Sequence, residues 1–177
     1  MQDNYDIDQY VRSIPDFPEE GIIFRDVTTI LQSPDGLKKS IDGIVEQLKD
    51  VDFDIVVGPE SRGFIFGVPV AYALGKGFVP VRKKGKLPCE TIEKEYALEY
   101  GTAVVEMHKD AIKPGDKVVI VDDLIATGGT IEAIAEMIES LGGEVVRVAF
   151  VMELAGLNGR DKLSKYHVDS LLIYDGK

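Results

Sequence analysis

The 177-residue sequence holds one cysteine, two histidines and no tryptophan, and it is short of positive charge, with 20 Lys and Arg against 31 Asp and Glu. Each shortage excludes something. Cys89 alone cannot close an intrachain disulfide, so a stapled secreted scaffold is ruled out and a reducing, cytoplasmic setting is expected. His108, His167 and Cys89 are too scattered to form a zinc-type ligand set, and no histidine stands at a spacing that would activate Cys89 as a nucleophile. A net charge of −11 repels polyphosphate, which argues against nucleic acid or an anionic membrane as partner. Long hydrophobic runs are also missing. The longest uncharged stretch, residues 63–75, falls short of the ~20 residues needed to cross a bilayer and contains Pro69. The stretch Met1 to Asp6 is acidic and polar where a signal peptide needs basic and then apolar residues, so no export is expected. Neither G-x-x-x-x-G-K-S/T nor a strand-following G-x-G-x-x-G occurs, which leaves P-loop and dinucleotide-binding readings without support.

What is present fits one domain over residues 1–177. A chain of this length buries roughly two-thirds of its unfolded surface and needs no metal or disulfide staple. Five short runs are apolar at every position: 55–57, 78–81, 118–121, 148–151 and 171–174. Such runs suit strands covered on both faces, as in a parallel sheet. Helical patterns lie between them. Ile41, Ile44, Val45 and Leu48 follow an i, i+3, i+4, i+7 spacing behind Ser33 and Pro34, a fitting N-cap and first helical residue. Ile131, Ile134, Ile138 and Leu141 make a second stripe that Gly142 and Gly143 stop. A third helix is expected from about Phe64 to Leu74. The fold class is therefore α/β, an open, mostly parallel sheet flanked by helices, with ligands at the carboxyl ends of the strands. Pro80 cannot donate to a ladder and marks the 78–81 strand as peripheral or interrupted there. Residues 84–107 break the alternation, and a connection so long reads as a hairpin-like lid.

Three strand ends carry the chemistry. Asp122 and Asp123 close the 118–121 run, and Ala126, Thr127, Gly128, Gly129 and Thr130 follow just before a helix. A small, hydroxyl-bearing, glycine-rich turn at a helix N-terminus offers free N–H groups and positive dipole to a phosphate monoester. Two carboxylates beside that cradle need their own partners, and vicinal sugar hydroxyls are suitable donors. A ribose phosphate supplies both. The two acids are also suited to stabilise positive charge on the ribose ring and to hold magnesium, directly or through water. At a second strand end, Ser61 and Arg62 sit between Gly58 and Gly63, which would let backbone N–H groups and a guanidinium approach an anion. At a third, Arg82, Lys83, Lys84 and Lys86 crowd into five residues, a counter-charge fit for a diphosphate. Taken singly, each has a plainer reading: a capped helix, a βα turn and a solvated basic face.

The segment from Val118 to Thr130 resembles the phosphoribosyl pyrophosphate signature of the type I phosphoribosyltransferases. Residues 21–26 (GIIFRD), 60–64 (ESRGF), 82–88 (RKKGKLP), 98–101 (LEYG) and 153–160 (ELAGLNGR) are, in the same order, similar to those of the adenine-specific branch of that family. This resemblance implies transfer of the phosphoribosyl group to adenine, giving AMP and pyrophosphate with magnesium, in purine salvage. It assigns the ribose hydroxyls to Asp122 and Asp123, the ribose phosphate to residues 126–130, and the pyrophosphate to Ser61, Arg62, Arg82, Lys83 and Lys86. It further implies a small hood within about residues 1–35, where Phe24 packs on the purine and main-chain groups of Arg25 read its polar edge, with Leu124 and Leu154 lining the same pocket. Glu99, from a lid at about residues 84–107, would manage the proton at N7 as N9 attacks, and Tyr100 would help cover the site. A homodimer is expected, joined near residues 60–66 and 82–88. Two other readings stay open at this point: a non-catalytic regulator that senses the same ligands while binding nucleic acid, and the same enzyme acting on a 6-oxo purine. Room for an extra DNA-binding segment is lacking, and the charge is wrong for it.

Overall fold

A computed structural model of the chain describes residues 6–97 and 101–176. A two-stranded hairpin, β1 (Arg12–Pro15) and β2 (Ile23–Asp26), leads into α1 (Thr28–Gln32) and α2 (Pro34–Leu48). The main sheet then forms from β3 (Ile55–Pro59), β4 (Gly77–Lys83), β5 (Thr91–Ala97), β6 (Thr102–His108), β7 (Lys117–Ile125), β8 (Glu144–Leu154) and β9 (Val168–Tyr174), with α3 (Arg62–Ala73), α4 (Gly129–Ser140) and the short α5 (Gly159–Lys162) between them. Strand order is β5-β6-β4-β3-β7-β8-β9. Strands β4, β3, β7, β8 and β9 run parallel; at one edge β6 pairs antiparallel with β4, and β5 pairs antiparallel with β6.

The all-apolar runs explain the layering. Val118 and Ile120 of β7 and Val148 and Phe150 of β8 pack toward α4, whereas Val119, Val121, Ala149 and Val151 pack toward α2 and α3. Every position is buried because each face of the sheet has its own helical cover. Burying Phe66 and Phe150 fully contributes roughly 2–3 kcal/mol apiece. Local signals set the helix ends. The Ser33 hydroxyl accepts the Gly36 N–H at 3.2 Å with Pro34 at the first helical position. Helix α4 stops where Gly142, at φ +89°, lets the Gly143 N–H reach the Ile138 carbonyl and the Gly142 N–H reach that of Glu139. Helix α3 begins earlier than its apolar pattern suggests and accommodates Pro69 in its interior.

Pro80 lies in a strand that is internal by order. Strand β4 pairs with β6 only through Arg82 and Lys83, so the stretch containing Pro80 has β3 alone beside it, which is where a residue without an N–H is tolerated. The sheet grows in opposite directions from β3 and β7, with α3 and α4 on opposite faces. A crevice therefore opens between the carboxyl ends of these two strands.

Candidate active site

Strand β7 delivers Asp122 and Asp123 to that crevice. Asp123 is 4 % exposed, and its Oδ2 lies 2.8 Å from Arg62 Nε without the alignment of a hydrogen bond, which leaves it a buried acceptor lacking one. Asp122 accepts the Asp123 N–H at 2.8 Å. Burial, and then the neighbouring Asp123 charge, hold the Asp122 carboxyl well above the usual carboxylate range. A site that already strains to keep two negative charges together favours ligands bringing hydroxyl donors or a cation. Gly63, at the start of α3, is needed for close approach: a Cβ there would come within 2.9 Å of Asp122 Oδ1 and 2.7 Å of the Pro59 ring. The glycine thus serves the fit of helix to strand, a role different from the anion access expected of it.

The turn after β7 runs through residues 126–128 into α4, with Gly128 left-handed at φ +79° in the N-cap position. Its amides begin a 12-residue helix, the setting in which a phosphate finds unsatisfied donors. Strand β5 comes down over this end. Lys94 pairs with Glu136 at 2.7 Å, and a Cβ on Gly129 would stand 3.4 Å from the Ala97 carbonyl and 3.6 Å from Lys162 Nζ.

On the other side, Glu60 organises the cationic strand end. Its Oε2 accepts from Arg82 Nε at 2.7 Å, its Oε1 accepts from the Lys83 N–H at 3.1 Å, and its own N–H donates to the Val81 carbonyl. Burial acts to raise the Glu60 carboxyl, but the Arg82 hydrogen bond, the Lys83 amide and both positive charges outweigh it and hold it low. Lys84 is tied to Glu93 at 2.7 Å. Neither Lys83 nor Lys86 forms an ion pair within 4 Å among the described residues. Glu106 fixes the turn that carries Lys86 by accepting the Lys86 and Leu87 N–H groups at 2.8 and 2.7 Å. The Glu60–Ser61 peptide is cis, and Ser61 precedes α3 without capping it.

A cleft of about 350 Å³, open to solvent, joins Arg62 and Asp123 to the β1–β2 hairpin. Phe24, Arg25, Leu124 and Leu154 all line it, together with Arg62 and Asp123. Phe24 is 38 % exposed and meets Phe17 edge-on at 5.4 Å, so it is a surface aromatic available to a ligand and not a core residue. Arg25 sends its guanidinium away, over the Tyr174 ring at 4.1 Å and onto the Ser13 hydroxyl. Strand β2 pairs with β1 alone, which leaves its second edge open. Ile23, Val27 and Met152 line the cleft as well, and of these Val27 and Met152 carried no distinguishing signal in the sequence. Glu99 and Tyr100 lie outside the described residues.

The pattern of the phosphoribosyl transferase domain family matches residues 26–176. The adenine phosphoribosyltransferase of Lachnoclostridium phytofermentans is 71% identical over 171 residues, 97% of this chain and 98% of that protein. The crystal structure of the adenine phosphoribosyltransferase of Thermoanaerobacter pseudethanolicus is 52% identical with a TM-score of 0.90, covering 96% of this chain and 98% of that one. The enzyme of Saccharomyces cerevisiae, solved with adenine and an imino-altritol bisphosphate, is 45% identical with a TM-score of 0.86 over 94% and 96% of the two chains.

Proposed function

The chain belongs to the phosphoribosyl transferase family, and from that premise we propose that it joins adenine to phosphoribosyl pyrophosphate, releasing AMP and pyrophosphate. One observation carries the assignment of the site: Asp123, near the carboxyl end of β7 and a few residues before the turn suited to a phosphate, lines the apolar cleft together with Phe24. A sugar held there has its phosphate on one side and its anomeric carbon toward the cleft.

The chemistry follows from where the charges stand. Adenine N9 attacks the anomeric carbon with its lone pair, the bond from that carbon to the pyrophosphate oxygen breaks with its electron pair, and the base gives up the proton on N7. Positive character grows on the ribose while negative charge grows on the leaving group. Asp122 and Asp123 accept the ribose hydroxyls and face the first. Ser61, Arg62, Arg82, Lys83 and Lys86 are assigned to the second, with Glu60 holding Arg82 in place. Residues 126–130 take the ribose phosphate. Glu99 is assigned to the proton at the base and Tyr100 to covering the site, so that water is kept from the activated sugar.

Magnesium suits this site as a companion of the substrate. Asp123 Oδ2, buried without a hydrogen bond, and the crowded Asp122 beside it are oxygen donors of the kind it takes, directly or through water. The described residues hold no group of three His, Cys, Asp or Glu that could bind a metal, so substrate oxygens and water would complete its shell. Bound there, it would supply charge neutralisation on the diphosphate.

Base choice is assigned to the main chain of Arg25 at the open edge of β2, with Phe24, Leu124 and Leu154 enclosing the ring. An amide donor beside a carbonyl acceptor matches the adenine edge. A 6-oxo purine sets carbonyl against carbonyl at about 1–3 kcal/mol or more. Incubating the protein with magnesium, phosphoribosyl pyrophosphate and each purine in turn should yield AMP from adenine and little nucleotide from hypoxanthine, guanine or xanthine. Equal turnover of hypoxanthine would overturn the base assignment, and no nucleotide from any base would overturn the function. A homodimer is supported by Ile65, Val68 and Tyr72, which stand exposed at i, i+3 and i+7 on α3. A cytoplasmic setting is supported by the exposed free thiol of Cys89.

A further inference from the structure

Glu153 is a buried acid with no part in the chemistry above. It stands one residue before Leu154 of the cleft and is 5 % exposed. Its Oε1 accepts from Arg160 Nε at 2.7 Å, and its Oε2 accepts from Arg160 Nη2 at 2.6 Å and from the Ser170 hydroxyl at 2.8 Å. Arg160 Nη1 donates to the Val168 carbonyl at 2.7 Å, so the same guanidinium is anchored on β9. A two-pronged arginine–carboxylate pair fixes direction as well as distance. That pair ties the end of β8 to the start of α5.

What it ties down is the support of the phosphate turn. Gly159 precedes Arg160, and a Cβ on Gly159 would overlap the Ala126 carbonyl oxygen and lie 2.8 Å from Ile125 Cγ1. From the other side, a Cβ on Gly128 would lie 2.5 Å from the Gly159 carbonyl oxygen. The turn at 126–128 therefore rests backbone to backbone on residue 159. Leu154, meanwhile, borders the cleft assigned to the base.

We propose that Glu153 and Arg160 form a positioning clamp that sets the spacing between the base cleft at Leu154 and the phosphate turn seated on Gly159, an inference that rests on the phosphoribosyl reading of the site. Its ligand class is a purine nucleoside monophosphate, the molecule that engages both ends at once. Arg160 is a positioning residue and touches no reacting atom.

A clamp of this kind distinguishes a whole nucleotide from its pieces. Calorimetry of the full chain with AMP, ribose 5-phosphate and adenine separately is the test. Arg160→Lys keeps the charge but loses the second prong, and should weaken AMP by about tenfold, equivalent to 1.4 kcal/mol, while each fragment stays close to its wild-type affinity. Gly159→Ala pushes on the turn directly and should weaken both AMP and ribose 5-phosphate but not adenine. Ser170→Ala removes one bond to Glu153 and should give a smaller loss for AMP alone, which keeps the test open if Arg160→Lys fails to fold. Wild-type affinity for AMP in these variants, or equal loss of AMP and both fragments, would overturn the clamp. Failure of the wild-type chain to bind AMP at all would instead overturn the phosphoribosyl reading and the clamp with it.

Discussion

Burial acts to raise the Glu153 carboxyl, yet the Arg160 and Ser170 hydrogen bonds and the Arg160 charge outweigh it, so the group ionises more readily folded than unfolded. Its contribution to stability is therefore fully present above the ordinary glutamate value of about 4.3 and is lost as pH falls through the depressed one. Melting temperature followed from about pH 6 down to pH 3 should decline less steeply in Glu153→Gln than in wild type. Equal slopes would show that the pairing of this carboxylate contributes nothing. Asp122, Asp123 and the 126–130 turn are legible in the sequence because their chemistry is carried by adjacent residues. Phe24 is not, since an aromatic beside isoleucines reads equally as core. Only the hairpin that lifts it to 38 % exposure decides. The packing roles of Gly63 and Gly159 could not be read: their neighbours, Asp122 and Ala126, are brought to them by the fold.

At the level of elements, the β1–β2 hairpin is held from behind by the last strand. The Tyr174 ring lies under the Arg25 guanidinium and its hydroxyl donates to Asp8 Oδ1 at 2.5 Å, while burial, with Asp8 beside it, pushes the phenol pKa up and keeps that proton in place. Tyr174→Ala should loosen the hairpin and raise KM for adenine several-fold, on the order of 1 kcal/mol, with KM for phosphoribosyl pyrophosphate unchanged. A parallel rise in both would mean the whole site had shifted. The alternation of strands and helices was readable because doubly covered strands are apolar at each position and the helices between them are amphipathic. One feature escaped that logic: β6 continues the hairpin expected as a lid into the main sheet, burying Val105, Glu106 and Met107. Period-two residues cannot reveal which of two hairpin strands will be covered.

Across the whole molecule, a chain of net charge −11 gathers Arg82, Lys83, Lys84 and Lys86 at the end of β4 and buries Asp123 in the cleft nearby. Such an arrangement separates net charge from local charge, so an overall acidic chain can still present a positive patch to a small anion. The exposed stripe of Ile65, Val68 and Tyr72, the last 87 % exposed, lies on the same helix that starts with Arg62. Val68→Glu with Tyr72→Glu should shift sedimentation from dimer to monomer, and a wild-type chain that sediments as a monomer would refute a self-association role for this face. The catalytic expectations depend on oppositely charged walls gripping one activated sugar. Titration calorimetry of phosphoribosyl pyrophosphate with magnesium, on wild type and on the Asp122→Asn, Asp123→Asn double variant of unchanged fold, is the most direct measurement. Saturable binding by wild type that falls about a hundredfold or more in the variant is the predicted result. Equal affinity in the two proteins would contradict it.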